Sequence, residues 1–239
     1  MARRFRLTAI CSILLTALFL FPALPVSAQD IFVTPIPGVP FSAVVTVERS
    51  RIQPDGSVVA LTTVRNIGRD SLGRIHNETR MLLPKASTQD RQLIRVHLYD
   101  PQTRISTIID PQEHTYARRI VNHPPSVLPP ALLSATPSGT SLPANEFTKQ
   151  EDLGIRDIEG LPAHGIRETQ LIPAGASGKQ VAVTDEYWYS DDLRLNLMIE
   201  HRDPRREMVV MKVSQITRNE PNPALFSIPE GYERARSQK

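Results

Sequence analysis

The chain has 239 residues, and its 28 Lys and Arg residues exceed its 25 Asp and Glu residues by three. Arg3, Arg4 and Arg6 account for that excess, so the rest of the chain is electrically neutral. It has no basic stripe interleaved with aromatic residues, which argues against nucleic acid as a partner.

The N-terminus has the pattern of an export signal. Three arginines precede an uncharged apolar run from Leu7 to Leu24, and Val26-Ser27-Ala28 supplies small residues for cleavage. A membrane anchor and a twin-arginine signal are the alternatives. Pro22 and Pro25 interrupt the run before it could span a bilayer comfortably, and its richness in Leu and Phe opposes a twin-arginine signal. We predict a signal peptide over residues 1–28, an exported protein that is periplasmic or secreted, and no stable transmembrane anchor after cleavage.

Catalytic and metal-binding patterns are missing from the sequence. Cys11 is the sole cysteine and lies in the predicted signal, so the remaining chain has neither a disulfide nor a thiolate metal site. The six histidines show no metal-ligand spacing, and neither H-E-x-x-H nor G-x-S-x-G occurs. We therefore expect no catalytic residue, no metal and no cofactor.

Strand patterns begin after a proline-rich leader over residues 29–40, which we expect to be extended but not part of the sheet. Alternating apolar residues from Phe41 predict a first strand, and Pro54-Asp55-Gly56 turns it into a second that ends near Arg69. A third strand follows Ser71-Leu72-Gly73.

Two further strands are separated by matching turns. Ile94, Val96 and Leu98 face one way while Arg95 and His97 face the other. Asp-Pro turn signals end this strand and the next one, at residues 100–101 and 110–111. Short strands joined in this way predict an antiparallel meander.

Residues 122–145 contain six prolines and no charged side chain. They are either a plain surface connection or a lid over a hydrophobic concavity, with Leu128, Leu132 and Leu133 as the candidate lid residues. Both alternatives exclude a central strand.

The second half returns to alternating runs separated by turn residues. Leu193, Leu195, Leu197 and Ile199 form the clearest strand with one buried face. Residues 220–226 predict a short capped helical turn, and residues 233–239 a charged C-terminal tail. The sequence thus predicts a mainly β protein, with a single domain over residues 41–232 built on one curved antiparallel sheet. That sheet would be a half-barrel of about 9–11 strands with little helix and a Pro-rich loop or lid in the middle.

Aromatic residues at 187–189 are the most informative candidates for ligand contact. Tyr187, Trp188 and Tyr189 occupy both faces of one strand, and a buried Trp is most simply a core residue. If the sheet curves, whichever of Trp188 or the two tyrosines faces the concavity would contact a ligand, together with Leu195, Leu197 and Ile199.

Several segments resemble a group of uncharacterised exported bacterial proteins. They are G-R-D-S-L-G-R (68–74), I-I-D-P (108–111), G-L-P-A-H-G-I-R-E-T (160–169), I-P-A-G-A-S-G (172–178), E-Y-W-Y-S-D-D-L (186–193) and L-F-S-I-P-E-G-Y (225–232). More distantly, the Trp-containing strand, the long hairpin after it and the L-F-x-I-P-x-G-Y ending resemble periplasmic lipoprotein carriers and related sensor-regulator domains, the LolA-like and RseB-like half-barrels. That resemblance implies an apolar concavity for acyl chains.

Two functional hypotheses follow. The first is a non-enzymatic envelope protein that binds a lipid, a lipoprotein acyl chain or another apolar ligand on the concave face of the half-barrel. The second is an interaction or sensor module with a closed core, whose partner is another envelope protein.

Overall fold

The computed structural model describes residues 31–122, 148–172 and 180–236. These residues form thirteen strands and one short 3-10 helix. The strands are β1 (Phe41–Ile52), β2 (Val58–Arg69), β3 (Ile75–Arg80), β4 (Leu83–Pro84), β5 (Leu93–Asp100), β6 (Ile105–Asp110), β7 (Thr115–Ile120), β8 (Thr148–Ile158), β9 (Leu161–Ile172), β10 (Val181–Ser190), β11 (Leu195–Asp203), β12 (Glu207–Thr217) and β13 (Glu233–Arg234). The 3-10 helix, Pro223–Phe226, is capped by Asn222, as the sequence predicted.

All strands belong to one sheet, in the order β13-β7-β6-β5-β3-β2-β1-β12-β11-β10-β9-β8, with β4 paired to β2. The predicted single open antiparallel sheet is confirmed. Neighbouring strands are antiparallel except β13, which runs parallel to β7. The strand count exceeds the expected 9–11 because β4 and β13, of two residues each, also pair.

Curvature of the sheet is visible in a contact between distant strands. Glu159, in the turn between β8 and β9, accepts a hydrogen bond from the Gln215 backbone N–H in β12 at 3.1 Å. Two strands separate β9 from β12, so a flat sheet would hold them about 14 Å apart. The sheet must therefore bend to bring this turn over β12.

Local sequence explains the hairpins that build the sheet. In the turn between β1 and β2, Asp55 accepts hydrogen bonds from the Ser57 backbone and hydroxyl, and Gly56 adopts a φ of 82°. A side chain at that φ would be strained, so glycine favours the turn. The predicted first hairpin and the third strand are confirmed.

The leader packs against the sheet through a buried arginine. Ile31 and Val33 are fully buried members of the main core. Arg69, with 0% exposure, donates from Nε to the Val39 carbonyl (2.8 Å) and from Nη1 to the Thr34 carbonyl (2.7 Å). No strand forms over residues 31–40, and the chain turns at Pro37 and Gly38.

The C-terminal segment departs from the expected charged tail. Glu233 and Arg234 form β13 and pair with Thr115 and Tyr116 of β7. Among the described residues, no helix is long and apolar enough to cross a membrane. The predicted signal peptide (1–28), residues 123–145 of the predicted loop and the lid residues Leu128, Leu132 and Leu133 lie outside the described part of the chain.

Candidate functional site

Strand register assigns the candidate residues to two opposite faces of the sheet. Residues directly opposite each other in antiparallel strands place their side chains on the same face. One cross-strand row is Ile166, Tyr187, Ile199, Met211, Val47 and Thr63, and we call its side of the sheet the tyrosine face. The neighbouring row is Gly165, Trp188, Met198, Lys212, Thr46 and Val64, and its side is the tryptophan face.

The two rows differ in chemistry and burial. On the tyrosine face, Ile199, Met211 and Val47 are 2%, 8% and 9% exposed, so an apolar band crosses the centre of the sheet. On the tryptophan face, Lys212 is exposed and Val64 is 38% exposed. The tyrosine face is thus the continuously apolar one.

Trp188 is surrounded by side chains and backbone of this chain. The Arg156 guanidinium lies 3.7 Å from the ring centroid, and its Nη2 donates to Met198 Sδ at 2.9 Å. The indole Nε1 donates to Glu186 Oε1 at 2.6 Å. Burial would raise the pKa of Glu186, but hydrogen bonds from Trp188 and Arg167 outweigh it and lower that pKa. These contacts give Trp188 a packing role.

The other candidates lie close to Tyr187 in the fold. Leu195, Leu197 and Ile199 are at most 2% exposed and belong to the main core, against which the half-buried Tyr187 packs. Tyr189 follows a register shift in the pairing of β10 with β11 and is 8% exposed. The fold therefore gathers the predicted set around β10 and β11 but separates Trp188 from Tyr187 by the thickness of the sheet.

Acidic groups adjoin Tyr187 on its own face. Burial raises the pKa of the Tyr187 phenol, and the carboxylates of Asp185 and Glu168 raise it further. Burial and the neighbouring Asp185 also raise the pKa of Glu168. His201 Nδ1 lies 2.8 Å from Asp185 Oδ1. No three His, Cys, Asp or Glu residues within the described ranges are arranged to hold a metal ion.

The tyrosine face continues into β2, β3, β5, β6 and β7, where it becomes polar. Its row there is Ala43, Ile67, Asn77, His97, Ile108 and Ala117. Arg65 Nη1 donates to Asn77 Oδ1 at 3.3 Å, and His97 Nε2 lies 2.9 Å from Ser106 Oγ. Burial lowers the pKa of His97, and the charges of Arg119 and Arg95 lower it further.

Arg95, His97, Ser106 and Arg119 form a basic group that the sequence did not predict. Alternation placed Arg95 and His97 on one side of a strand, which was the available signal. Ser106 and Arg119 join them only through the pairings β5–β6 and β6–β7. A single sequence does not state which strands pair, so the cluster could not be assembled from it.

The C-terminal segment covers part of the tryptophan face. His76 Nδ1 donates to the Leu225 carbonyl oxygen at 2.8 Å, and the rings of His114 and Tyr232 are 5.2 Å apart. A cavity of about 300 Å³ lies between this segment and β5–β6, bordered by Phe226 and Arg118 among others. A second depression of about 510 Å³ includes Leu197, Met198 and Lys212 in its lining.

Comparisons with known proteins identify no family for the chain. No family model matches it, and no curated protein matches it. Solved structures do resemble it. The chain is similar to MucB (12% identity, TM-score 0.39), over 81% of this chain and 58% of MucB.

Two further solved structures are similar to the chain over most of their own length. One is an uncharacterised conserved protein from Thermus thermophilus, at 12% identity and a TM-score of 0.42, covering 83% of this chain and 91% of that one. The other is a LolA-superfamily protein from Nitrosomonas europaea, at 11% identity and a TM-score of 0.32, covering 81% and 92%.

Proposed function

We propose that this chain is a non-enzymatic exported protein that binds an apolar, acyl-like ligand along the tyrosine face. The observation that supports the proposal is the apolar row Tyr187, Ile199, Met211 and Val47, which crosses four adjacent strands without interruption. The one helix in the described ranges, Pro223–Phe226, lies against β3 on the opposite face. An extended apolar ligand is the occupant whose shape and chemistry match such a band.

Burial of apolar surface would drive binding. Each methylene removed from water contributes about 0.8 kcal/mol, so ten methylenes contribute about 8 kcal/mol before the entropic cost of association. Tyr187 would lie at one end of the ligand beside Leu195 and Leu197, and Met211 would adapt its flexible side chain to the ligand. Leu128, Leu132 and Leu133 remain the proposed lid residues.

Native mass spectrometry of the protein purified from an exported preparation tests the proposal. We expect a co-purifying acyl species, identified after lipid extraction. Met211→Gln should lower its occupancy several-fold because an amide in the row leaves polar groups unpaired against the ligand.

The matched control is Lys212→Gln, one residue further along β12 and on the tryptophan face. It should retain the ligand, and circular dichroism should show that both variants fold. The proposal would be refuted if every preparation showed only the mass of the protein without ligand and the protein took up no added fatty acid.

A protein partner is the second candidate function, and the edge strand β8 favours it. Ile155 in this strand is 76% exposed, and among the strands of the described ranges β8 pairs only with β9. An open edge can accept a strand from another chain. In envelope extracts, a partner captured by the wild type and lost with Ile155→Pro would support this function, whereas equal capture by both proteins would remove β8 from consideration.

A further inference from the structure

The tyrosine face changes from apolar to basic in β2, β3, β5, β6 and β7. Strand positions on this face carry Arg65, Arg95 and Arg119, with His97 among them. Asp110, at the end of β6, is the only carboxylate on this face of these five strands, and it accepts hydrogen bonds from the backbone N–H groups of the turn after it. Arg95 and Arg119 therefore have no other carboxylate beside them on this face of these strands.

His97 lies at the centre of this group. Its Nε2 is 2.9 Å from Ser106 Oγ, and Ser106 lies directly opposite Arg119 in the pairing of β6 with β7. Arg95 precedes His97 by two residues in β5 and so projects from the same face. Burial lowers the pKa of His97, and the charges of Arg119 and Arg95 lower it further because they disfavour the protonated imidazole.

Arg95 and Arg119 are exposed and make no salt bridge with any residue in the described ranges. Other arginines nearby do: Arg74 pairs with Asp70 at 2.6 Å and Arg80 with Glu78 at 2.8 Å. Two unpaired guanidinium groups beside a histidine and a hydroxyl offer several N–H and O–H donors to one anion. Guanidinium groups bind phosphate oxygens through paired, charge-assisted hydrogen bonds.

We propose that Arg95, His97, Ser106 and Arg119 bind the phosphate of an anionic ligand. For a ligand with an acyl chain, the inference rests on the function proposed above, since the chain would lie along the row and its phosphate headgroup would reach the basic group. The phosphate contacts themselves depend only on the basic cluster.

Two lipids with the same acyl chain test the headgroup contact. We expect the purified chain to bind lysophosphatidic acid at least tenfold more tightly than the matching monoacylglycerol. In Arg95→Gln/Arg119→Gln this preference should fall below about threefold, while the affinity for monoacylglycerol stays unchanged.

Arg118→Gln is the control variant, because Arg118 is the sequence neighbour of Arg119 but stacks on Tyr116 on the tryptophan face. It should keep the wild-type preference. A double variant that also keeps the preference would overturn the headgroup site while leaving the apolar site intact.

Inorganic phosphate separates a lipid headgroup from free phosphate as the source of the anion. We expect it to shift the His97 imidazole resonances in wild type and in Arg118→Gln, but not in Arg95→Gln/Arg119→Gln. If neither lipid binds and phosphate still gives this pattern, the basic group is a site for free phosphate and the acyl-binding proposal fails. If neither lipid binds and phosphate leaves His97 unchanged, both proposals fail.

Discussion

The indole of Trp188 lies flat across the backbone of Gly165 in the adjacent strand. A Cβ at residue 165 would stand 2.6 Å from the ring atoms Cη2 and Cζ3, well inside van der Waals contact. Glycine at this position lets Trp188 cover the strand, and Arg156 then stacks on the outer side of the ring. The three residues form one packed unit across β8, β9 and β10.

Gly165→Ala should destabilise the fold by about 3 kcal/mol, because the new methyl group pushes the Trp188 ring out of its rotamer and away from Glu186. In a Trp188→Leu background the same change should cost less than about 1 kcal/mol, since the smaller side chain leaves room for the methyl group. The wild type, the two single variants and the double variant form a double-mutant cycle. Urea unfolding followed by far-UV circular dichroism measures the free energy of unfolding of all four proteins. Equal costs in the two backgrounds would show that the ring contact does not set the requirement for glycine.

Arg69→Lys should detach the leader from the sheet. The three nitrogens of the guanidinium donate in different directions to the carbonyls of Val39, Thr34 and Leu193. A lysine has a single ammonium nitrogen, which cannot reach all three carbonyls. We expect a loss of about 3 kcal/mol in the free energy of unfolding. Hydrogen exchange at the Gly38 amide, which bonds to the Ser71 carbonyl, should become faster.

Arg51→Lys is the control for that variant, since Arg51 is exposed near the end of β1 and its replacement should cost less than about 0.5 kcal/mol. Unchanged protection of the Gly38 amide in Arg69→Lys would contradict the anchoring role of Arg69.

Glu78 should make the free energy of unfolding depend on pH under acidic conditions. Burial would raise its pKa, but His76, whose Nε2 lies 3.6 Å from Glu78 Oε1, and hydrogen bonds from Arg80 and Asn66 outweigh burial and lower the pKa to about 2. The ionised form is thus favoured by folding, and its stabilisation is present above the ordinary pKa of 4.5 and lost as the pH falls toward 2. Glu78→Gln should remove on the order of 2 kcal/mol of this pH-dependent stability.

Unfolding free energies measured by urea titration between pH 2 and pH 6 test the role of Glu78. The profile of Glu78→Gln should be flatter than that of the wild type. Glu48→Gln, which removes a more exposed carboxylate paired with Lys85, should leave the slope nearly unchanged. Parallel profiles for wild type and Glu78→Gln would refute the assignment.

The positions of many strands and turns along the chain could be predicted from local sequence. Alternation of apolar and polar residues located β1, β2, β5 and β11, and turn residues such as Asp55 and Gly56 marked where the chain reverses. The predicted burial of Leu193, Leu195, Leu197 and Ile199 is confirmed, each being at most 2% exposed. Their polar neighbours are not uniformly solvated, since Asn196 is 7% exposed.

The C-terminus and the leader show where local sequence was insufficient. Charged residues after Tyr232 predicted a tail, but Glu233 and Arg234 pair with β7 because the preceding segment is held on the sheet by contacts such as that of Leu225 with His76. The burial of Ile31 and Val33 depends equally on partners far along the chain.

The sequence by itself determined the β class, the hairpin turns and most strand boundaries, because these follow from turn chemistry and from a side-chain period of two within each strand. Tertiary structure decided which faces of separate strands join. Pairing β1 with β12 created the row through Val47 and Met211, and pairing β5 with β6 and β7 placed Arg95, His97 and Arg119 together. Alternation gives each strand two faces but no register with its neighbours, and a slip of one residue exchanges those faces.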